Sequence, residues 1–102
     1  MTLQITVLFD VLPDRIDSIA PAFAELAEHT RREAGALRFD AFLSESRENT
    51  VVLIEEWTDQ DAIDQHMKQP YTQDFLDRST GAFARPAEVH RMRLLDGAGA
   101  GR

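Results

Sequence analysis

The sequence contains no cysteine among its 102 residues. This absence excludes a disulfide scaffold, a thiolate nucleophile and a thiolate metal site. Histidine is scarce too, and His29, His66 and His90 have no short metal-ligand spacing, so we expect no metal site. A P-loop, a G-x-S-x-G elbow and a G-x-G-x-x-G fingerprint are also missing, and the terminal "GAGAG" opens no helix that could bind a dinucleotide.

Positive charge is in short supply. The chain has 11 lysines and arginines against 18 aspartates and glutamates, a net charge of −7. Because an acidic protein repels a phosphate backbone, we expect no nucleic-acid partner. No apolar run approaches the roughly 20 residues that cross a bilayer, and the N-terminus lacks a basic stretch followed by a signal-peptide core. These features predict a cytoplasmic protein with no membrane partner.

The composition is that of a globular domain, with 43% hydrophobic and 28% charged residues. A chain of 102 residues is too short for a second core, so we predict a single domain over residues 1–96. Composition shifts only at the end, "DGAGAGR", where small residues offer little surface to bury. We predict a flexible tail over residues 97–102.

The spacing of apolar residues predicts the order β-α-β-β-α-β. Period-two alternation predicts strands, and spacings of three and four predict helices. The predicted strands cover residues 3–11, 37–44, 50–57 and 87–95, and a long helix runs over 16–34 to Gly35. Thr58 or Asp59 caps a short helix, which Pro70 separates from a second short helix over about residues 71–79. This is the ferredoxin-like α+β arrangement, an antiparallel sheet with its helices on one face.

The third predicted strand is apolar on both faces, through the run "VVLI" at residues 51–54. A strand with one wet face would alternate apolar and polar residues. Since the helices cover only one face of the sheet, something else must cover the other. A second copy of the chain is the simplest candidate, and we predict a homodimer joined sheet to sheet.

Several polar and aromatic side chains gather around the end of this strand. Glu55 and Trp57 share one of its faces, and His66 follows on the same helix side as the neighbouring Met67. Tyr71 opens the next helix and can reach the same region. This pattern predicts a small-molecule pocket lined by the strand end and the helix.

Structural explanations for the same residues remain open. Trp57 suits a core position with its indole N–H satisfied. A buried Glu55 can equally be paired with Arg91 or Arg93 of the last strand, and a histidine on an apolar helix side is often a core residue. His29 is expected to face solvent.

Five short motifs resemble those of the antibiotic biosynthesis monooxygenase domain family. The family shows a helix ending in E-x-G, a strand beginning L-R-aromatic, a strand ending E-x-W, a helix with A-x-x-x-H and a proline-aromatic step. In this chain they are Glu33 with Gly35, Leu37-Arg38-Phe39, Glu55 with Trp57, Ala62 with His66, and Pro70-Tyr71. The resemblance extends from Thr2 to about Leu95.

The resemblance implies a dimeric α+β barrel with a cavity between sheet and helices in each subunit. Family members include cofactor-free monooxygenases of phenols and quinols, haem-degrading oxygenases and signal-molecule isomerases. The leading interpretation is a cofactor-independent monooxygenase that oxidises a small aromatic substrate with O₂. The alternatives are an isomerase of a small polar metabolite and a non-catalytic dimeric small-molecule-binding protein.

Six residues carry this interpretation. We predict three catalytic residues, His66 as proton acceptor or anion stabiliser, Trp57 as an apolar wall and Glu55 as an orienting group. The predicted substrate-binding residues are Phe39, Tyr71 and Met67. Two positions depart from the family pattern, since Phe39 replaces a common tyrosine and Tyr71 stands where many members have histidine.

Overall fold

The structure, a computed structural model, describes residues 2–96. Within them no helix combines the length and the apolar character needed to cross a membrane. The predicted tail, residues 97–102, lies outside the described part of the chain. The elements in chain order are β1 (Leu3–Asp10), α1 (Ile16–Thr30), β2 (Ala36–Leu43), β3 (Thr50–Trp57), α2 (Gln60–Met67), α3 (Pro70–Arg78) and β4 (Glu88–Met92).

The four strands form one sheet in the order β2-β3-β1-β4, with every neighbouring pair antiparallel. The central strand β1 places Val7 opposite Leu53 of β3 and Val89 of β4. The predicted ferredoxin-like α+β fold, with its helices on one face of the sheet, is therefore confirmed.

Strand β3 has two different faces. Val51, Leu53, Glu55 and Trp57 are buried, whereas Val52, Ile54 and Glu56 between them are only partly buried. The buried set lies beneath the helices and the other set lies on the open face of the sheet. This alternation agrees with the sequence pattern and leaves apolar side chains on the open face.

The core has an aromatic cluster at each end of the sheet. At one end Phe23 of α1 lies with its ring centroid 4.9 Å from that of Phe9 and 4.7 Å from that of Phe75. At the opposite end of β1, Leu3 pairs with Trp57. The second end contains the candidate site.

Helix α1 is shorter than predicted, since it ends at Thr30 and not next to Gly35. The chain leaves the helix through tight turns, in which the Glu33 N–H bonds the Thr30 carbonyl at 2.9 Å and the Ala36 N–H bonds the Glu33 carbonyl at 3.1 Å. Strand β4 also ends earlier than predicted, at Met92. The helix after β3 is capped by Asp59, whose carboxylate accepts the Ala62 N–H at 2.9 Å.

Candidate functional site

Three rings pack together where β3 ends against α2. Trp57 is the last residue of β3 and is completely buried. Its ring centroid lies 4.9 Å from that of His66 and 6.1 Å from that of Phe39, which meets it edge-on. The centroids of Phe39 and His66 are 5.6 Å apart. We call these three side chains the ring cluster; the structure thus brings together three of the six predicted site residues.

Glu55 lies beside the ring cluster and is only 9% exposed. The indole N–H of Trp57 donates to its Oε1 at 2.8 Å. Burial raises the pKa of Glu55, and the hydrogen bond from Trp57, together with the positive charge that His66 carries when it is protonated, opposes that rise. The partner of the carboxylate is therefore the indole, whereas Arg91 donates to the side chain of Gln60 at 3.0 Å.

His66 is held by a carboxylate that was not among the predicted site residues. Its Nδ1 lies 2.8 Å from Oε2 of Glu33, and both side chains are largely buried. Because an ionised carboxylate can only accept, we assign the imidazole proton of this bond to Nδ1. A neutral His66 then carries its lone pair on Nε2. The sequence did mark Glu33, as the first residue of the E-x-G motif, but without a role.

Tyr71 shares the same carboxylate. Its O–H donates to Oε2 of Glu33. Burial is the first cause that raises the pKa of Tyr71 well above its ordinary value, and the hydrogen bond to Glu33 and the negative charge of that residue add to it. The phenol therefore remains a donor at physiological pH. On its face Tyr71 stacks with His29 at 5.0 Å between centroids, and His29, which was expected to face solvent, is partly buried by this contact.

A close backbone approach places Glu33 next to α2. A Cβ atom on Gly35 would lie 2.4 Å from Cβ of Ala62 and 3.0 Å from Oγ1 of Thr58. The carbonyl of Gly35 also accepts the Thr58 N–H at 3.0 Å. Only glycine therefore allows the turn after α1 to lie directly on the first turn of α2. One helical turn after Ala62, His66 is within reach of Glu33.

The sixth predicted residue lies apart from the ring cluster. Met67, at the end of α2, is 43% exposed, whereas the ring cluster is almost fully buried.

The buried rings fill the space where a cavity between sheet and helices was expected. A recess of about 10 Å³ beside Tyr71 is large enough for one water molecule at most. A cleft of about 320 Å³ lies at the open face of the sheet, lined by Leu8, Asp10, Arg47, Arg85, Pro86, Ala87 and Glu88.

Comparison with known sequences identifies the family of the chain and two relatives. The family model of the antibiotic biosynthesis monooxygenases matches residues 2–78. The uncharacterized protein sll1783 of Synechocystis is 28% identical over 86 residues, which cover 84% of this chain and 58% of that protein. The match thus spans little more than half of that relative. YcnE of Bacillus subtilis, named as a proposed monooxygenase, is 29% identical over 86 residues, covering 84% of this chain and 90% of YcnE.

Solved structures share the fold closely. The crystal structure of an antibiotic biosynthesis monooxygenase superimposes with a TM-score of 0.85 at 26% identity, covering 92% of this chain and 99% of the other. Rv0793 from Mycobacterium tuberculosis gives a TM-score of 0.84 at 22% identity, covering 94% and 97% of the two chains.

Proposed function

Since the chain belongs to the antibiotic biosynthesis monooxygenase family, we propose that it is a cofactor-independent monooxygenase of a small phenol or quinol. An electron-rich phenol can reduce O₂ directly once it has lost its proton. The protein then has to bind the ring, accept the proton and stabilise the anion. In the overall reaction one oxygen atom of O₂ enters the substrate as a quinone oxygen, and the other is released as water together with two hydrogens from the substrate.

The pairing of His66 with Glu33 beside aromatic side chains is the observation that carries this proposal. With the proton on Nδ1, the Nε2 atom of His66 is free to accept the phenolic proton. The imidazolium that forms is stabilised by the adjacent Glu33 carboxylate, as in other carboxylate–histidine pairs. Tyr71 donates to that carboxylate and holds it in place.

The remaining predicted residues have supporting roles in this proposal. Trp57 and Phe39 supply flat apolar surfaces for an aromatic ring. Glu55 fixes the orientation of the Trp57 indole through their hydrogen bond. Met67 is exposed and next to His66 in the chain, and would line the entrance. Because Trp57 and Phe39 are 0% and 2% exposed, substrate has to displace side chains of the ring cluster as it binds.

The filled ring cluster favours a second candidate, a non-catalytic dimeric binding or accessory subunit. A site whose aromatic side chains pack directly on one another has no preformed room for a substrate. In that case His66 and Glu33 serve the packing of α2 on the sheet. The two candidates differ in whether any phenol is turned over.

Assembly as a homodimer is part of the proposal. On the open face of the sheet, Phe42 of β2, Val52 of β3 and Leu8 of β1 lie side by side in register. Phe42 is 47% exposed, and Met92 on β4 is 45% exposed on the same face. Apolar side chains grouped in this way favour burial against a second sheet. A stable pair should bury more than about 1,000 Å² in total.

Oxygen uptake with a panel of phenols and quinols tests the function. We expect consumption of one O₂ per substrate, a product with one more oxygen and two fewer hydrogens, and label from ¹⁸O₂ in that product. An absorption spectrum of bound haem or flavin in the active protein would contradict cofactor independence. Tight binding of these compounds without any O₂ uptake would instead support the binding-protein candidate.

A further inference from the structure

We propose that Glu33 is the positioning residue of the site. It fixes His66 in the tautomer with its proton on Nδ1, and the contact of Gly35 with Ala62 places the Glu33 side chain next to His66. This deepens the proposed function and rests on it for its catalytic meaning. The geometric part concerns residues 33, 35, 62 and 66 alone and can be tested without any substrate.

The tautomer follows from the chemistry of the two partners. A neutral imidazole has one donor and one acceptor nitrogen, and the partner of each decides which is which. Within residues 2–96, Glu33 is the hydrogen-bond partner that the structure gives to the His66 ring. Free histidine side chains favour the proton on Nε2, the tautomer that leaves no lone pair there. Glu33 therefore reverses the intrinsic preference and makes Nε2 the basic atom.

The placement of Glu33 follows from the backbone contact. Gly35 and Glu33 are two residues apart in one turn, and Ala62 and His66 are one helical turn apart in α2. The turn and the helix therefore meet at two points, Gly35 on Ala62 and Glu33 on His66. A side chain at residue 35 would separate the first pair and, with it, the second. The E-x-G and A-x-x-x-H motifs thus form one interlocking unit.

Tyr71 supports the carboxylate but does not choose the tautomer. Its hydroxyl donates to the same Oε2 that accepts from His66, and a carboxylate oxygen has room for both donors. Removal of that hydroxyl leaves the acceptor for Nδ1 in place. Tyr71→Phe is accordingly the matched control for Glu33→Ala, since it alters the same network from the other side.

Nitrogen-15 NMR of the histidine rings tests the inference in the full-length protein, at a pH above the titration of the histidines. We expect His66 of the unaltered protein to show a protonated Nδ1 and an unprotonated Nε2. Glu33→Ala should move the proton wholly or largely to Nε2, whereas Tyr71→Phe should leave the pattern unchanged. Gly35→Ala should weaken the Nδ1–H pattern, and Gly35→Ala/Ala62→Gly should restore it.

The possible outcomes separate this inference from the proposed function. A proton on Nε2 of His66 in the unaltered protein, or an unchanged tautomer in Glu33→Ala, would overturn the positioning role even if a phenol is oxidised. An unchanged tautomer in Gly35→Ala would overturn the part played by the backbone contact. The expected shifts without any O₂ uptake would uphold the positioning role and refute the monooxygenase. Where a substrate is oxidised, Glu33→Ala should lower kcat more than it changes KM.

Discussion

The indole N–H of Trp57 donates to the carboxylate of Glu55, which precedes it by two residues on the same face of β3. Successive side chains of a strand alternate between faces, so residues two apart are neighbours on one face. Both side chains are buried, and each provides the hydrogen-bond partner that the other needs. The E-x-W motif is therefore a self-contained pair, whose carboxylate still remains costly to ionise.

Replacement of Glu55 by glutamine should reveal that cost as a function of pH. Burial raises the pKa of Glu55 above its ordinary value of 4.5 in the folded protein. The folded state then holds a proton that the unfolded state has released. The stabilisation that this bound proton provides is complete below the pKa of Glu55 in the unfolded protein and is lost as pH rises through its pKa in the folded protein. The free energy of unfolding of the unaltered protein should therefore fall, relative to Glu55→Gln, as pH rises above about 4.5.

Urea unfolding at a series of pH values measures the difference in the free energy of unfolding between the unaltered protein and Glu55→Gln. Glu56→Gln is the matched control, since it removes one charge from the next residue on the opposite face of β3. If the difference in unfolding free energy between Glu55→Gln and the unaltered protein stays constant with pH, the Trp57 hydrogen bond balances the effect of burial on the pKa of Glu55. A change in the opposite direction would show that the hydrogen bond outweighs burial.

Gly35→Ala should destabilise the fold by about 1–3 kcal/mol, the usual cost of forcing extra volume into a packed contact. The new Cβ would lie 2.4 Å from Cβ of Ala62, on a helix that cannot move freely. Ala62→Gly alone should cost about 1 kcal/mol through helix propensity. In the double variant the clash is relieved, so the two costs should not add. Chemical denaturation of all four proteins gives the coupling, which we expect to exceed about 1 kcal/mol; additive costs would contradict a direct contact.

Much of the fold follows from local patterns in the sequence. The order of the elements, the buried face of β3 and the cap at Asp59 each depend on residues within one element. The end of α1 was predicted wrongly because Gly35 is the obvious terminator in the sequence. A glycine is required at residue 35 because of the contact with Ala62, which no helical pattern can indicate.

The candidate site was predictable only in part for the same reason. Trp57 and His66 were brought together correctly because both lie on faces defined by local periodicity. Glu33 is 33 residues from His66 and lies in an irregular turn, so its contact depends on how α1 ends. Met67 neighbours His66 in sequence but is exposed, because α2 rotates it away from the sheet.

A charge on the open face of the sheet should disrupt the proposed homodimer. Val52→Glu places a carboxylate between Phe42 and Leu8 in the middle of that face. An unpaired charge at an interface costs at least about 3 kcal/mol, which corresponds to a roughly 100-fold weaker dimer. Sedimentation equilibrium measures the change. Leu76→Glu, at a leucine of α3 that is 42% exposed and lies away from the open face, is the control and should leave the association unchanged. A stable monomer of the unaltered protein at micromolar concentration would refute the dimer itself.

His66 should be the histidine on which activity depends. Its Nδ1 is held by Glu33 and its ring lies 4.9 Å from Trp57, whereas His90 is exposed on the open face beside Glu88. General-base assistance typically contributes about 10²–10⁴-fold, so His66→Ala should lower the rate of O₂ uptake by about 100-fold or more on any phenol that is turned over. His90→Ala should retain the rate, and a circular dichroism spectrum of each variant verifies that it is folded.

His66→Gln separates the roles, because glutamine keeps a hydrogen-bonding side chain but cannot accept the substrate proton near neutral pH. A rate largely restored by glutamine would mean that His66 only positions the substrate. A folded His66→Ala protein with an unchanged rate would show that His66 is a core residue with no catalytic part.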